Sequence, residues 1–342
     1  MFKRSMLLLL VVLAMVVACA PAPTPTPVPT PVPPTATPVP PTATPVPPTN
    51  TPVPPTATPV PPTATPVPPT ATPTKVALDW SAVLDKYLGV QAEQRWNSIA
   101  NTALNDVLAT PTKPFILDVR EEQELKDTGF IAGTVNIPLK TLLKNLDKIP
   151  AKDQPIVSVC AVGHRGAMAM VTLQLLGYTN VKSLVGGFNA WKAANLPVAT
   201  GTPTAPTAGK APEVDKELAD ALDKYLNAQA DVTPKWSNMS VTAVRDALAL
   251  PTKPFVLDVR ETTELADTGI IEGAVNVPLR TLVKSLDKLP KDKTAPIIVY
   301  CGVGHRSVIG MMTLHLLGYT QVRSMAGGLN AWKAANLPTV KP

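Results

Sequence analysis

Short apolar runs alternate with amphipathic stretches along the C-terminal part of the chain. PFILDV (114–119) and PIVSVC (155–160) are unbroken apolar runs of strand length, and VKSLVGG (181–187) is a third that closes on two glycines. Segments with helical spacing lie around them: SIANTALNDVLA (98–109), Thr141 to Leu146, GAMAMVTLQLLG (166–177) and NAWKAANLP (189–197). Apolar strands without alternation, separated by helices, predict an α/β fold with a parallel sheet covered on both faces. In such sheets, sites form beyond the carboxyl ends of the strands.

The pattern is written twice. Residues 111–150 and 251–290 agree at most positions without a gap, and the segments that open at Cys160 and Cys301 agree as closely. LDKYL recurs at 84–88 and 222–226. The period, about 140 residues, is far too long for a solenoid unit and marks a domain duplication. The expected division is 75–199 for the first domain, 200–212 for a Thr-, Pro-, Ala- and Gly-rich linker, and 213–342 for the second. The LDKYL segments, with Trp96 and Trp236, are expected to cover the domain in which each lies.

The N-terminal third has a different character. Lys3 and Arg4 precede an apolar run from Met6 to Ala18, which is too short to span about 30 Å of hydrocarbon comfortably. That is signal-peptide anatomy. Val16-Val17-Ala18-Cys19 resembles the lipobox of bacterial lipoproteins. The resemblance implies removal of residues 1–18, a lipid on Cys19, and an extracytoplasmic protein anchored to the membrane. An ordinary secretory signal with an incidental Cys19 is the alternative. Residues 19–74 then form a tether. Six PVPPTAT heptads (31–72, with Asn50 in place of one Ala) offer no large apolar residue to a core, and proline excludes a coiled coil. Extended polyproline II is expected, as a spacer or a solvated, O-glycosylated linker.

Composition sharpens this division. The 342 residues include 41 prolines, most of them in the tether, with 16% charged and 4% aromatic residues. One compact fold over the whole chain is excluded. The net charge of +6 is dispersed, without basic runs or aromatic interleaving, so no nucleic-acid partner is expected. No cofactor motif is present.

The chain has three cysteines. Cys160 and Cys301 occupy equivalent places in loops CAVGHRG (160–166) and CGVGHRS (301–307), each between an apolar strand and a helix. Zinc is not expected, because neither copy has a second Cys or another nearby His. A loop folded around its first residue turns backbone N–H groups inward, and these, with the following helix N-terminus, favour negative charge. The cysteine there should have a lowered pKa. Gly163 and Gly304 allow the backbone angles of a tight turn. Arg165 and Arg306 add a planar donor fork for an anion. The plainer reading is a buried, inert cysteine after a core strand.

With these residues in place, each copy resembles a rhodanese domain along nearly its full length. The matching pieces are LDVR with Glu four residues after the Arg (Arg120 and Glu124; Arg260 and Glu264), GxIxGxxNxP at 129–138 and 269–278, CxxGxR, and VxSxxGGxNAW ending at Trp191 and Trp332. The resemblance implies two rhodanese-like α/β domains and sulfur transfer: the Cys160 or Cys301 thiolate takes sulfane sulfur from a small anionic, thiosulfate-like donor and passes it to a thiol or cyanide acceptor. It implies that Arg165 and Arg306 close the loop and face the anion. Ser307 supplies the hydroxyl usual after that Arg, where the first copy has Gly166. Asp118 and Asp258 lie near the site, and Arg120–Glu124 and Arg260–Glu264 are expected as structural ion pairs. His164 and His305 tune the thiolate, contact substrate, or point to solvent. Thiosulfate-using members carry further cations in the loop, where these loops have Ala161-Val162 and Gly302-Val303. Two rivals stand beside this reading: a non-catalytic persulfide carrier or sulfur sensor, and a phosphatase or arsenate reductase. The last class uses a longer loop, with the Arg six residues after the Cys rather than five.

Overall fold

Two five-stranded sheets, parallel in every pairing, organise the C-terminal part of the chain. The computed structural model describes residues 78–342. The expected signal peptide, Cys19 and the tether lie outside the described residues.

The first repeat runs α1 (Trp80–Glu93), β1 (Ser98–Ile99), α2 (Asn101–Leu108), β2 (Phe115–Asp118), α3 (Glu122–Thr128), β3 (Thr134–Asn136), 3₁₀ turns over Leu139–Lys148, β4 (Ile156–Val159), α4 (His164–Leu175), β5 (Val181–Leu184) and α5 (Gly187–Ala193). The second runs α6 (Lys216–Asp231), β6 (Asn238–Met239), α7 (Val241–Leu248), β7 (Phe255–Asp258), α8 (Leu265–Thr268), β8 (Val275–Asn276), 3₁₀ turns at Leu279–Thr281 and Val283–Lys288, β9 (Ile297–Tyr300), α9 (His305–Leu316), β10 (Val322–Met325) and α10 (Gly328–Ala334). The strand orders are β1-β5-β4-β2-β3 and β6-β10-β9-β7-β8. The three strands expected in the first copy are its central ones. The edge strands β1 and β3 are too short to show as apolar runs, and Ser98–Ile99, read as the start of a helix, is instead β1.

Both faces of each sheet are buried, as the unbroken apolar runs require. Ile116, Val157 and Leu184 turn to a core private to the first repeat, with Leu104, Phe188 and Trp191. Val256, Ile298 and Met325 do the same in the second. Their strand neighbours Leu117, Ile156, Leu257, Ile297 and Val299 enter one core common to both repeats. Helices α4 and α9 run through it, contributing Met168, Met170, Met311 and Met312. Full burial of each such side chain is worth roughly 1.5–3 kcal/mol, so the common core binds the repeats into one unit.

The leading helices are exchanged. Helix α1 of the first repeat rests on the Leu279–Lys288 turns of the second, and α6 rests on Leu139–Lys148 of the first. Leu84, Leu88, Leu222 and Leu226 bury their side chains there. Asp85–Lys284 (3.2 Å) and Asp231–Lys140 (3.3 Å) flank these contacts. This corrects the expectation that each LDKYL helix covers its own domain. Two helices that share LDKYL meet two similar receiving surfaces, and the sequence of the helix does not say which it will choose. Arg95, Trp96 and Asn97 take φ of 51°, 63° and 49°, and Trp236 and Ser237 take 61° and 53°, a left-handed conformation that bulky residues adopt only where their surroundings hold them.

The linker lies along the first repeat. Phe130 and Ala199 exchange backbone hydrogen bonds (2.8 and 2.9 Å), Thr204 N–H donates to Thr134 O (2.9 Å), and Gly209 N–H donates to Asp147 O (2.6 Å).

Candidate active sites

Cys160 and Cys301 directly follow β4 and β9, the central strands, and both side chains are buried. The backbone of the loop is held from behind. Phe188 and Asn189 N–H donate to the carbonyls of Cys160 (2.7 Å) and Ala161 (2.9 Å), and Leu329 and Asn330 N–H do the same for Cys301 (2.7 Å) and Gly302 (2.9 Å). These donors sit in the first turn of α5 and α10. Gly187 and Gly328 have φ of 61° and 57°, and a Cβ on either would overlap the cysteine's carbonyl oxygen. The GG of VxSxxGG, legible only as a strand stop, is therefore the platform on which the cysteine loop is set.

Gly163 and Gly304, with φ of 87° and 90°, turn the chain into α4 and α9, as their position in the loop predicts. The Gly304 N–H donates to Cys301 Sγ at 3.2 Å. Ser307 Oγ lies 4.0 Å from the same sulfur and hydrogen-bonds Gly304 O and Ser324 Oγ, both at 2.8 Å. The first site lacks this hydroxyl. Gly166 stands there, and the buried Ser183 Oγ, the counterpart of Ser324, is left without a partner among the described residues. The two sites are therefore not equivalent.

Burial pushes the Cys160 thiol above its ordinary pKa, against the opposing pull of Arg165 and the backbone N–H groups of Gly166 and Val162. The lowered value expected from the loop alone does not hold for this buried sulfur.

The charged residues pair differently from their sequence spacing. Arg165 gives both Nη atoms to Glu124 (2.7 and 2.7 Å), and Arg306 gives both to Glu264 (2.6 and 2.7 Å). Glu124 is partly desolvated, yet Arg165 holds its carboxyl below the usual range, and Arg306 does the same for Glu264. The guanidinium forks expected to face an anion are occupied. The expected Arg120–Glu124 and Arg260–Glu264 pairs are replaced by Arg120–Asp118 and Arg260–Asp258, both buried. Arg120 also donates to Thr128 Oγ1 (2.9 Å) and Gly129 O (3.0 Å) and stacks on Phe188 at 4.4 Å. It ties the end of β2 to the end of α3. Asn136 Nδ2 donates to the carbonyls of Asp118 and Arg120, each at 2.9 Å. The Asn of GxIxGxxNxP carries that bond, which its spacing alone does not reveal.

His164 and His305 neither reach the sulfur nor point to solvent. Each is buried, with Nε2–H donating to a backbone carbonyl of the other repeat: His164 to Trp236 O (2.7 Å), His305 to Trp96 O (2.8 Å). A carbonyl only accepts, so the proton sits on Nε2. Burial brings the His164 pKa down to about 4 and lowers that of His305.

Above Cys160 lies a cavity of about 550 Å³. The first repeat contributes Cys160, Val162, Arg165 and Glu124, and the second contributes Asp231, Lys235, Trp236 and Asn238. Among the described residues no cluster of His, Cys, Asp and Glu is arranged to hold a metal ion.

The fold and site define a duplicated α/β protein that presents a buried cysteine at the head of a helix in each half. The sequence profile of the rhodanese-like domain matches residues 101–194 and 240–335, so the chain belongs to the rhodanese-like family. A rhodanese domain-containing protein of Drosophila melanogaster is 37% identical over 89 residues, covering 22% of this chain and 80% of that one. A sulfurtransferase of Allochromatium vinosum is 32% identical over 87 residues, covering 25% and 78%. Among solved structures, the thiosulfate sulfurtransferase of Pseudomonas aeruginosa aligns over 71% of this chain and 43% of its own, at 23% identity and a TM-score of 0.29.

Proposed function

We propose that the protein is a sulfurtransferase working through a cysteine persulfide. The thiolate attacks the outer sulfur of a thiosulfate-like donor. A Cys–S–S⁻ forms, the donor's S–S bond breaks, and sulfite leaves with the electron pair. An acceptor such as cyanide or a thiolate then takes the terminal sulfur and returns the thiolate, so no redox partner is needed. The observation that carries this reading is the Gly304 N–H aimed at Cys301 Sγ at the N-terminus of a twelve-residue helix. That placement stabilises negative charge on the sulfur and on the persulfide that replaces it. Ser307 beside the sulfur makes Cys301 the principal nucleophile. Intact-mass measurement of the protein with Cys160→Ala and Cys301→Ala singly, after exposure to thiosulfate, tests both points. A gain of one sulfur that depends on Cys301 supports the reading. Undiminished loading in Cys301→Ala reverses the ranking, and no loading in either removes thiosulfate as donor.

The N-terminal reading completes the proposal: Cys19 carries the lipid, and the catalytic halves work outside the cytoplasm at the end of the proline-rich tether. Metabolic labelling with a fatty acid, lost in Cys19→Ser, is the check.

A further inference from the structure

Each cysteine loop lacks an available cation of its own. Arg165 is engaged by Glu124 and Arg306 by Glu264, each through two hydrogen bonds. Lys140, on the rim of the Cys160 cavity, is paired with Asp231. Besides Lys235, the charged lining is Arg165 with Glu124, Lys140 with Asp231, and the carboxylate of Glu121, which caps α3, so an anionic donor approaching Cys160 finds no free cation among them. One cation in that cavity is different. Lys235 lines it from the second repeat, is exposed, and its side chain has no ion-pair or hydrogen-bond partner among the described residues. It precedes Trp236, whose left-handed backbone presents its carbonyl to His164 of the cysteine loop. That bond fixes the Lys235 backbone against the loop that holds Cys160. The other half places a cation at the equivalent position of the chain. Arg95 precedes Trp96, whose carbonyl accepts from His305, and the exposed Arg95 side chain has no partner among the described residues either.

We propose that Lys235, contributed by the second repeat, receives the anionic end of the substrate at Cys160, and that Arg95 of the first repeat does so at Cys301. Each site is thus built in trans, with the nucleophile from one repeat and the substrate-positioning cation from the other. The substrate class is a small sulfur donor carrying negative charge beside the transferred sulfur, such as a thiosulfonate. This assignment rests on the sulfurtransferase reading for its substrate, but the cation's action on Cys160 is open to test without it.

Iodoacetate and iodoacetamide alkylate a thiolate by the same displacement of iodide and differ in charge. The ratio of their rates therefore reports the local preference for an anion. In the full chain, with each cysteine followed by peptide mass spectrometry, Lys235→Ala should lower the iodoacetate-to-iodoacetamide ratio at Cys160 roughly fivefold, the scale of one exposed charge interaction. Lys235→Glu should lower it further and Lys235→Arg restore it, with the ratio at Cys301 unchanged. Arg95→Ala should act on Cys301 alone. In steady state, Lys235→Ala with Cys301→Ser should raise KM for thiosulfate and leave kcat near its starting value. An unchanged ratio at Cys160, or an equal fall at both cysteines, overturns the proposal. Normal ratio changes without thiosulfate turnover would uphold the cation and remove the donor instead.

Discussion

The Nε2–H of His305 donates to the carbonyl oxygen of Trp96, 209 residues earlier in the chain, at 2.8 Å. His164 and Trp236 repeat the bond in the opposite sense. The two cysteine loops are thereby held by two turns that end the exchanged helices. Replacing His305 with Ala leaves the buried Trp96 carbonyl unpaired, which costs about 1–3 kcal/mol. Because the core is common to both repeats, chemical denaturation should still show one transition, moved to lower denaturant. Two separate transitions, with only the second repeat weakened, would contradict a common core.

These histidines set a pH dependence. His164 has an ordinary value of 6.5 and a folded value of about 4. A depressed folded pKa favours the neutral form in the native state, so stability is complete above pH 6.5 and falls as pH drops toward 4. The loss is about 3 kcal/mol by linkage. His305 contributes with the same sign. Stability followed by denaturation from pH 7.5 to 4 should decline, and His164→Gln should flatten the decline. A His164→Gln profile parallel to the parent would contradict this assignment.

Glu124 balances Arg165 beside Cys160. Glu124→Gln removes the balancing charge and leaves the guanidinium in place. The Cys160 thiol, pushed up by burial, should then ionise at lower pH. The alkylation rate of Cys160 against pH should shift its midpoint downward, while that of Cys301 stays fixed.

Gly187 and Gly133 both have positive φ, 61° and 81°. An alanine Cβ at Gly187 would overlap the Cys160 carbonyl, whereas one at Gly133 meets nothing within 4 Å. Gly133→Ala should cost about 1 kcal/mol from backbone strain. Gly187→Ala should cost more, about 3 kcal/mol, and should displace the cysteine loop. Denaturation midpoints and Cys160 alkylation rates separate the two effects.

Ser307 Oγ lies 4.0 Å from Cys301 Sγ, and the first loop has no counterpart to it. Ser307→Gly gives the second loop the glycine that Gly166 supplies in the first and deprives Ser324 Oγ of its partner. Slower persulfide formation at Cys301 is expected, with a stability loss of about 1 kcal/mol. Loading at Cys160 should be unaffected.

Local features were legible in the sequence. PFILDV and PIVSVC are central strands because they are apolar on both faces, and the cysteine loops sit at strand ends because strand, glycine turn and helix follow one another directly. Gly163 and Gly304 announced their turn by residue type. Partner choice was not legible. Arg120 and Glu124 have the spacing of an ion pair, yet Asp118, two residues away and wholly buried, claims Arg120 and leaves Glu124 to Arg165. A buried carboxylate has more to gain from pairing than an exposed one, and burial is not written in the spacing. The exchange of α1 and α6 was hidden for a related reason: LDKYL specifies an apolar face but not which of two similar surfaces it will meet. His164 and His305 lay in view as candidate site residues, but their partners are backbone carbonyls of the distant copy, which carry no signature in the sequence.

The exchanged helices also bear on how the duplicated halves can change over generations. An alteration in α1 is felt by the second repeat, and one in α6 by the first, so neither copy can drift without testing the other. Ancestral halves that folded separately would have been free to lose one cysteine loop while keeping the other. Here the leading helix of each copy packs on the other, so a change at either contact is felt by both.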